Sequence, residues 1–139
     1  MILHQYSLSD IQNAASWLIQ NLKNDKIWCF SGAMGAGKTT LIAEVCKQLG
    51  IIDTVSSPTY GLVNEYRSGT LKVFHFDFYR IENEQEAIEV GVDEYFNSGN
   101  ICMIEWPQKI AGLLPDKFVQ IELRIFEDNS RQLSLKHVS

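Results

Sequence analysis

The stretch of sequence that decides the fold is Gly32-Ala33-Met34-Gly35-Ala36-Gly37-Lys38-Thr39-Thr40. It matches the pattern G-x-x-x-x-G-K-[ST] in full, and it lies between a predicted strand and a predicted helix. Its glycines let the backbone bend until the N–H groups surround a phosphate at the positive end of the following helix. The stretch therefore predicts a P-loop that holds the phosphates of ATP or GTP. The alternative, an ordinary glycine-rich turn, leaves the lysine and the threonine at these offsets unexplained.

Three side chains of this loop have predicted roles beside the phosphates. Lys38 places a positive charge near the β- and γ-phosphates, which makes it a catalytic candidate as well as a binding residue. The Thr39 hydroxyl is a candidate ligand of Mg²⁺, because this ion keeps water and phosphate oxygens and needs only one or two protein ligands. Thr40 is expected to support the α-phosphate. The residues from Gly32 to Gly37 are expected to bind the nucleotide as well.

The segments around the loop predict an α/β fold. Residues 26–31 form an apolar run typical of a buried strand, and residues 39–49 have the apolar spacing of a helix. Ser9 and Asp10 are candidate N-caps of an earlier helix that ends near residue 22. Further strands are predicted over residues 2–6, 61–66, 71–78, 100–106, 117–126 and 132–138, and short helices over 84–90 and 92–96. We expect one domain over residues 1–139, with three layers around a mixed parallel and antiparallel sheet.

The composition restricts the class of protein. With 139 residues, of which 45% are hydrophobic, the chain is long enough for one compact domain with an apolar core. A net charge of -5 argues against a protein that binds nucleic acid alone. No segment approaches the roughly 20 apolar residues that span a bilayer, so we expect a cytoplasmic protein without membrane contact. Cys29, Cys46 and Cys102 lack the paired spacing of metal sites or disulfides and are expected to be reduced core residues.

A P-loop ATPase also needs a carboxylate at the end of a neighbouring strand, and the sequence offers two candidates. Glu105 ends the apolar run at 101–104, although a strand-end residue that faces water is the alternative. Asp77 shares a strand face with His75 and Tyr79, opposite the phenylalanines. For His75 a strand histidine bonded to a neighbour is preferred over a catalytic group. For Arg80 a surface ion pair is an equal alternative.

Two further segments have open interpretations. Residues 56–60, Ser-Ser-Pro-Thr-Tyr, follow the P-loop helix, and their hydroxyls fit a switch that senses the γ-phosphate as well as they fit a simple proline turn. Trp106, directly after Glu105, is either an aromatic strand stop or a residue that closes the pocket or contacts a partner.

Together these segments resemble the TsaE (YjeE) family, bacterial P-loop ATPases required to make threonylcarbamoyladenosine in tRNA. The resemblance spans most of the chain. It rests on four motifs in order: the loop at 32–40, Ser-Pro-Thr-Tyr at 57–60, His-Phe-Asp-Phe-Tyr-Arg at 75–80 and Ile-Glu-Trp-Pro at 104–107. It implies an accessory ATPase that binds the TsaD–TsaB complex and resets it by hydrolysis, while the transfer chemistry belongs to the partner and tRNA is met only through that partner.

The resemblance also implies roles for individual residues. Lys38 and the loop amides would bind phosphate, and Thr39 and Glu105 would hold Mg²⁺. Asp77 would orient water or join the magnesium shell. Thr59 would be the switch threonine, Trp106 a pocket or interface residue, and Ser9 and Arg131 adenine contacts. Apart from the resemblance, the acidic balance of the chain and the aromatic residues Tyr60, Tyr79 and Trp106 near the γ-phosphate suggest that nucleotide state is reported to a bound protein.

Two other P-loop classes are considered. A kinase for a small-molecule or nucleoside acceptor usually has an arginine-bearing lid, whereas the arginines here are scattered along the chain. A GTPase switch predicts a guanine-reading Asn-Lys-x-Asp segment, and the sequence contains none. The ATPase interpretation is therefore preferred, with the kinase as its alternative.

Overall fold

The computed structural model describes residues 1–33, 35, 37–58 and 61–139. The predictions made for Met34, Ala36, Thr59 and Tyr60 lie outside the described residues. The strands are β1 (Ile2–Tyr6), β2 (Ile27–Ser31), β3 (Val63–Ser68), β4 (Leu71–Asp77), β5 (Ile101–Glu105), β6 (Phe118–Ile125) and β7 (Arg131–Val138). The α-helices are α1 (Ile11–Asn21), α2 (Lys38–Gln48), α3 (Glu84–Val90) and α4 (Val92–Phe96).

Within the described residues, seven strands form a single sheet in the order β1-β7-β6-β2-β5-β4-β3. The four central strands, β6, β2, β5 and β4, run parallel to one another, and β1, β7 and β3 are antiparallel to their neighbours. The strand β2 therefore lies between two parallel partners, and the chain leaves its carboxyl end directly into the P-loop. The predicted mixed sheet is confirmed.

Helices cover both faces of this sheet. On one face α1 and α2 bury Leu18, Leu41 and Val45 against side chains of the central strands, including Phe30. On the other face α3, α4 and the 3-10 segment Pro107–Leu113 pack against the phenylalanines of β4. The strands β2 and β5 are buried on both faces, as parallel strands covered by helices are expected to be, whereas β6 exposes Gln120, Glu122 and Arg124 on one face. The three-layer α/β prediction is confirmed.

The start of α1 differs from the sequence prediction. A short 3-10 turn, Leu8–Asp10, precedes the helix, and neither Ser9 nor Asp10 caps it with a side-chain hydrogen bond. The Ser7 hydroxyl lies 2.8 Å from the Ser9 hydroxyl and donates to the Asp10 carboxylate at 3.1 Å. Asp10 therefore occupies the predicted N-cap position of α1, but the polar side chains bond to one another rather than to helix amides, so the expected capping hydrogen bond does not form.

Two further features concern the cysteines and the length of the helices. All three cysteines are buried and free, which confirms the prediction of reduced core residues. In the part of the chain that the structure describes, every helix is too short or too polar to cross a membrane.

Candidate functional site

The site lies at the sheet edge where parallel strands end together. In the register of the sheet Phe30 of β2 pairs with Glu105 of β5, and Glu105 pairs with Asp77 of β4. The P-loop that follows β2 therefore begins beside two carboxylates on successive neighbouring strands. This is the edge at which open α/β sheets bind ligands.

The P-loop lysine, Lys38, is held in place by a hydrogen bond to the backbone of the loop. Gly37, with φ of 95° and ψ of 21°, ends the loop in a left-handed conformation, and α2 begins at Lys38. Lys38 is only 6% exposed, and its Nζ donates to the Gly32 carbonyl oxygen at 2.7 Å. Burial lowers the pKa of Lys38, while the charges of Glu105 and Asp77 act in the opposite direction. The ammonium thus lies at the N-terminus of α2, where the helix dipole favours an anion.

Trp106 completes the surroundings of this lysine. Its ring centroid is 3.9 Å from Lys38 Nζ, a cation–π distance, and 5.0 Å from the ring centroid of Tyr79. The backbone of Trp106 has φ of 60° and ψ of 50°, a left-handed conformation that is unusual for a bulky residue. Trp106 is half-buried rather than fully exposed, whereas Tyr79 is exposed. The strained backbone turns the indole back over the lysine.

Thr39 connects the P-loop to β5. Its hydroxyl lies 3.1 Å from both carboxylate oxygens of Glu105 and 3.1 Å from the Ser57 hydroxyl. Glu105 is 3% exposed, so the alternative of a strand-end residue facing water does not hold. Hydroxyl and carboxylate oxygens are ligands that Mg²⁺ prefers, and a site that shares the ion with phosphate needs only one or two of them. This pair therefore fits a magnesium ion by its chemistry.

Asp77 is the second carboxylate of the site. Its side chain is half-buried, and its Oδ1 accepts a hydrogen bond from the Tyr79 amide at 2.9 Å. Burial raises the pKa of Asp77, and nearby Glu105 adds to the rise; the Tyr79 amide, His75 and Lys38 oppose it. A carboxyl group in such a setting binds a proton more readily than a solvated aspartate does.

His75 lies behind Glu105, with no exposed surface. Its Nε2 is 2.7 Å from Glu105 Oε2, and its Nδ1 is 3.0 Å from the Tyr66 hydroxyl. The Tyr66 hydroxyl is in turn 3.0 Å from the Ser56 carbonyl oxygen. The preferred interpretation, a strand histidine bonded to a neighbour, agrees with this arrangement.

These groups open into a cleft of about 930 Å³. The cleft brings together residues from the loop, from the segment after α2, from the ends of β4 and β5, and from α3. Its lining includes Lys38, Thr39, Thr40, Ser57, Pro58, Asp77, Arg80, Glu86, Glu89, Glu105 and Trp106. Arg80 is exposed at this lining. The cleft is large enough for a nucleoside triphosphate by the usual size of ligand pockets, about 300–1,000 Å³.

The two residues suggested as adenine contacts lie on the other side of the loop. Arg131 pairs with Tyr6 of β1 and with Ile125 at the carboxyl end of β6. Its Nε is buried without a hydrogen-bond partner among the described residues. Ser9 follows β1 at the same sheet edge. A second cleft of about 430 Å³, lined by Gly32, Ala33, Gly35 and residues 122–125, separates this region from the larger cleft.

Several contacts of the site were not predicted from the sequence. The bonds of His75 and Tyr66, and the stacking of Trp106 over Lys38, depend on strand register and on a strained backbone. Glu86 and Glu89 reach the cleft from α3. The signals for these contacts in the sequence are the alternation of β4, which puts His75 and Asp77 on one face, and the position of Trp106 directly after Glu105.

The comparisons with known proteins agree on one family. The family model described as threonylcarbamoyl adenosine biosynthesis protein TsaE matches residues 5–133. The chain is 35% identical over 131 residues to the tRNA threonylcarbamoyladenosine biosynthesis protein TsaE of Rickettsia typhi, covering 94% of this chain and 90% of that protein. It is 36% identical over 116 residues to the protein of the same name from Bacillus subtilis, covering 84% of this chain and 72% of the relative.

A solved structure has the same fold. The crystal structure of YdiB from Bacillus subtilis superposes with a TM-score of 0.81 at 27% sequence identity, and the match covers 99% of this chain and 86% of the YdiB chain. The family match extends over nearly the whole chain, and it includes the P-loop, both carboxylates and Trp106. The chain therefore belongs to the TsaE family of tRNA threonylcarbamoyladenosine biosynthesis proteins.

Proposed function

We propose that this protein binds ATP with Mg²⁺ in the larger cleft and hydrolyses it slowly, as an accessory ATPase of threonylcarbamoyladenosine formation in tRNA. The observation that carries the proposal is the convergence of Lys38, Thr39, Glu105 and Asp77 in one cleft at the carboxyl ends of β2, β5 and β4. A phosphate-binding loop beside two carboxylates, the buried Glu105 and the half-buried Asp77, is the kind of arrangement that phosphoryl transfer uses.

Each residue has a task in this proposal. Lys38 and the amides at the start of α2 hold the β- and γ-phosphates. Thr39 and Glu105 are the protein ligands of Mg²⁺, which when bound neutralises charge on the phosphate oxygens. Asp77, which borders the cleft without a direct bond to Thr39 in the described structure, orients the attacking water. Trp106 and Tyr79 lie where they exclude bulk water from Lys38.

We propose that the partner on which this protein acts is the TsaD–TsaB complex. Membership of the TsaE family supports a place in this pathway, and the cleft offers catalytic groups for water and phosphate rather than for threonylcarbamoyl transfer. In the proposal hydrolysis resets that complex in the cytoplasm, and tRNA is bound only by the partner. The exposed Tyr79 and the segment at 57–58 border the cleft and are the surfaces we expect the partner to contact.

The test of the nucleotide site is a set of single substitutions. We expect Lys38→Ala to abolish ATP binding, because it removes the buried cation at the phosphates. Asp77→Ala and Glu105→Ala are expected to leave ATP binding measurable while lowering turnover by about 100-fold or more, a usual effect of losing a catalytic group. Calorimetry measures the binding, and phosphate release with ATP or GTP, with and without TsaD–TsaB, measures turnover.

The chain offers a matched control for the lysine. Lys47 lies in the last turn of the same helix and is exposed, so Lys47→Ala is expected to bind ATP as the parent does. Full turnover in either acid variant would contradict the assigned roles. Equal binding of TsaD–TsaB to the protein loaded with ADP or with a non-hydrolysable ATP analogue would contradict the proposed partner coupling.

A further inference from the structure

A buried chain of hydrogen bonds leads from Glu105 to the segment at residues 54–58. Glu105 Oε2 lies 2.7 Å from His75 Nε2, and His75 Nδ1 lies 3.0 Å from the Tyr66 hydroxyl. That hydroxyl is 3.0 Å from the carbonyl oxygen of Ser56 and 3.3 Å from its amide nitrogen. His75 has no exposed surface and Tyr66 is 3% exposed. The residues that line the larger cleft include Glu105 but neither of these two, so their role is not contact with a nucleotide.

A second path joins the same two places. The Thr39 hydroxyl is 3.1 Å from the Glu105 oxygens and 3.1 Å from the Ser57 hydroxyl. Ser56 and Ser57 are adjacent residues, so the two paths close a ring that contains the Glu105 carboxylate and the Ser56–Ser57 peptide. One path runs through the P-loop helix, and the other runs through the interior of the sheet.

The proton positions in the inner path follow from its chemistry. A carboxylate only accepts hydrogen bonds, so the His75 Nε2 carries a proton and donates it to Glu105. The Tyr66 hydroxyl has a single proton, which it donates to the Ser56 carbonyl oxygen at 3.0 Å. That hydroxyl can still accept from the Ser56 amide, and the Asn64 side-chain amide donates to the Ser56 carbonyl at 3.1 Å. Every polar group of the path then has a partner, as buried networks require.

We propose that His75 and Tyr66 are positioning residues that couple the placement of the Glu105 carboxylate to the placement of residues 54–58. The inference deepens the proposed function and rests on it for the meaning of Glu105. When the Glu105 carboxylate changes its hydrogen-bond partners, its bond to His75 changes, and the closed ring of hydrogen bonds transmits this change to Tyr66 and Ser56. Ser57 and Pro58 border the cleft, so a protein bound there responds to the state of the nucleotide site.

The test measures hydrogen exchange of the Ser56 amide by NMR in the nucleotide-free protein. Tyr66→Phe removes the acceptor of this amide, and Glu105→Ala removes the anchor of His75. Each is expected to speed exchange about fivefold, the effect of losing one neutral hydrogen bond. The double variant is expected to exchange no faster than the faster single variant, because both act on one path. Tyr95→Phe, a tyrosine on the opposite face of the sheet, is the control and should leave Ser56 exchange unchanged.

Conservative variants separate coupling from general loosening. Glu105→Gln keeps an oxygen that accepts from His75 and is expected to restore slow exchange. His75→Gln keeps a donor for Glu105 but loses the bond to Tyr66, so it should speed exchange of the Ser56 amide. If Glu105→Ala does not fold, His75→Gln takes its place in the comparison of single and double variants with Tyr66→Phe. Strictly additive effects on exchange would overturn the proposal, as would fast exchange in Glu105→Gln equal to that in Glu105→Ala.

A second arm adds ATP and Mg²⁺. In the parent protein we expect loading to change Ser56 exchange, and in Tyr66→Phe we expect this change to shrink about fivefold while ATP still binds. An equal response in both proteins would overturn the coupling. If the parent binds no ATP, the proposed function fails, and the nucleotide-free cycle by itself decides whether Glu105 and Ser56 are coupled.

Discussion

At the scale of single residues, Trp106 combines a cation–π contact to Lys38 with a strained backbone. The indole lies over Lys38 only because the residue adopts φ of 60° after the end of β5. For a residue with a Cβ atom this conformation costs about 1–2 kcal/mol. Such strain is often found at binding sites, where the surrounding structure maintains it. Trp106 therefore contributes to the site at the expense of stability.

The strain predicts a difference between two truncations of this residue. Trp106→Ala and Trp106→Gly both lose the ring, but glycine adopts the left-handed conformation without a steric penalty. After allowance for the greater freedom of glycine in the unfolded chain, we expect Trp106→Gly to be more stable than Trp106→Ala by about 0.5–1 kcal/mol. Urea unfolding of the two variants measures the difference. Equal or lower stability of the glycine variant would mean that the backbone is not strained.

The sequence identifies the residues of the site more completely than the contacts between their side chains. Lys38, Thr39, Glu105 and Asp77 were predicted because a motif and the ends of apolar runs mark them locally. The bond between His75 and Glu105 was not predicted, because it depends on the register of β4 against β5, which pairs Asp77 with Glu105. Register is fixed by packing across the whole sheet, so the sequence of either strand alone does not determine it.

At the scale of elements, the predicted bounds agree with the structure where local sequence determines them and differ where contacts with other segments do. The helix α2 and the strand β2 are predicted to within a residue or two, since apolar spacing and the glycine-rich loop mark their ends. Asp10 occupies the predicted N-cap position of α1 without a capping hydrogen bond, because the side chains of Ser9 and Asp10 bond to Ser7 instead of the helix amides. The strand predicted over residues 61–66 lies two residues further along the chain, because pairing between β3 and β4 continues through Ser68.

The junction between α3 and α4 gives a prediction at this scale. Gly91 ends α3 and precedes α4 with φ of 87°, and a Cβ atom added there would meet no atom within 4 Å. The cost of a side chain is therefore confined to the backbone. We expect Gly91→Ala to lower the free energy of unfolding by about 1 kcal/mol, and Gly91→Asn to lower it less, because asparagine tolerates the left-handed conformation.

The two variants are compared by urea midpoints at constant slope. ATP binding is measured alongside, and it should be the same in both, because Gly91 is not among the residues lining the larger cleft. A larger loss in Gly91→Asn than in Gly91→Ala would indicate that side-chain packing, rather than backbone conformation, limits this position.

At the scale of the whole molecule, the site depends on strand order. The sequence predicted a mixed sheet in three layers but not the place of β6 beside β2. This order puts the P-loop between two parallel neighbours, with the acids of β5 and β4 on one side and the start of β7 beyond β6 on the other. The larger cleft is thus a property of the topology, since its residues come from segments far apart in sequence.

The core predicts a loss of stability in alkaline solution. Burial raises the pKa of Cys29, Cys46 and Cys102 from 9.0 to about 12. In the folded protein the thiols stay protonated, whereas the unfolded chain loses these protons above pH 9, so unfolding becomes more favourable as the pH rises from 9 to 12. Each thiol contributes about 1.4 kcal/mol per pH unit in this range, or about 4 kcal/mol for the three at pH 10.

Cys46→Ala tests the contribution of one thiol, and Cys46 is chosen because burial alone raises its pKa, whereas Cys102 adds to the raised pKa of Cys29. The small cavity left by alanine lowers stability about equally at pH 8 and pH 10, so the difference between the two pH values isolates the ionisation. We expect this difference to be about one third smaller in Cys46→Ala than in the parent, as measured by urea unfolding under reducing conditions. An unchanged difference would show that alkaline unfolding has another origin, such as ionisation of the buried Tyr6 and Tyr66, whose pKa values are also raised by burial.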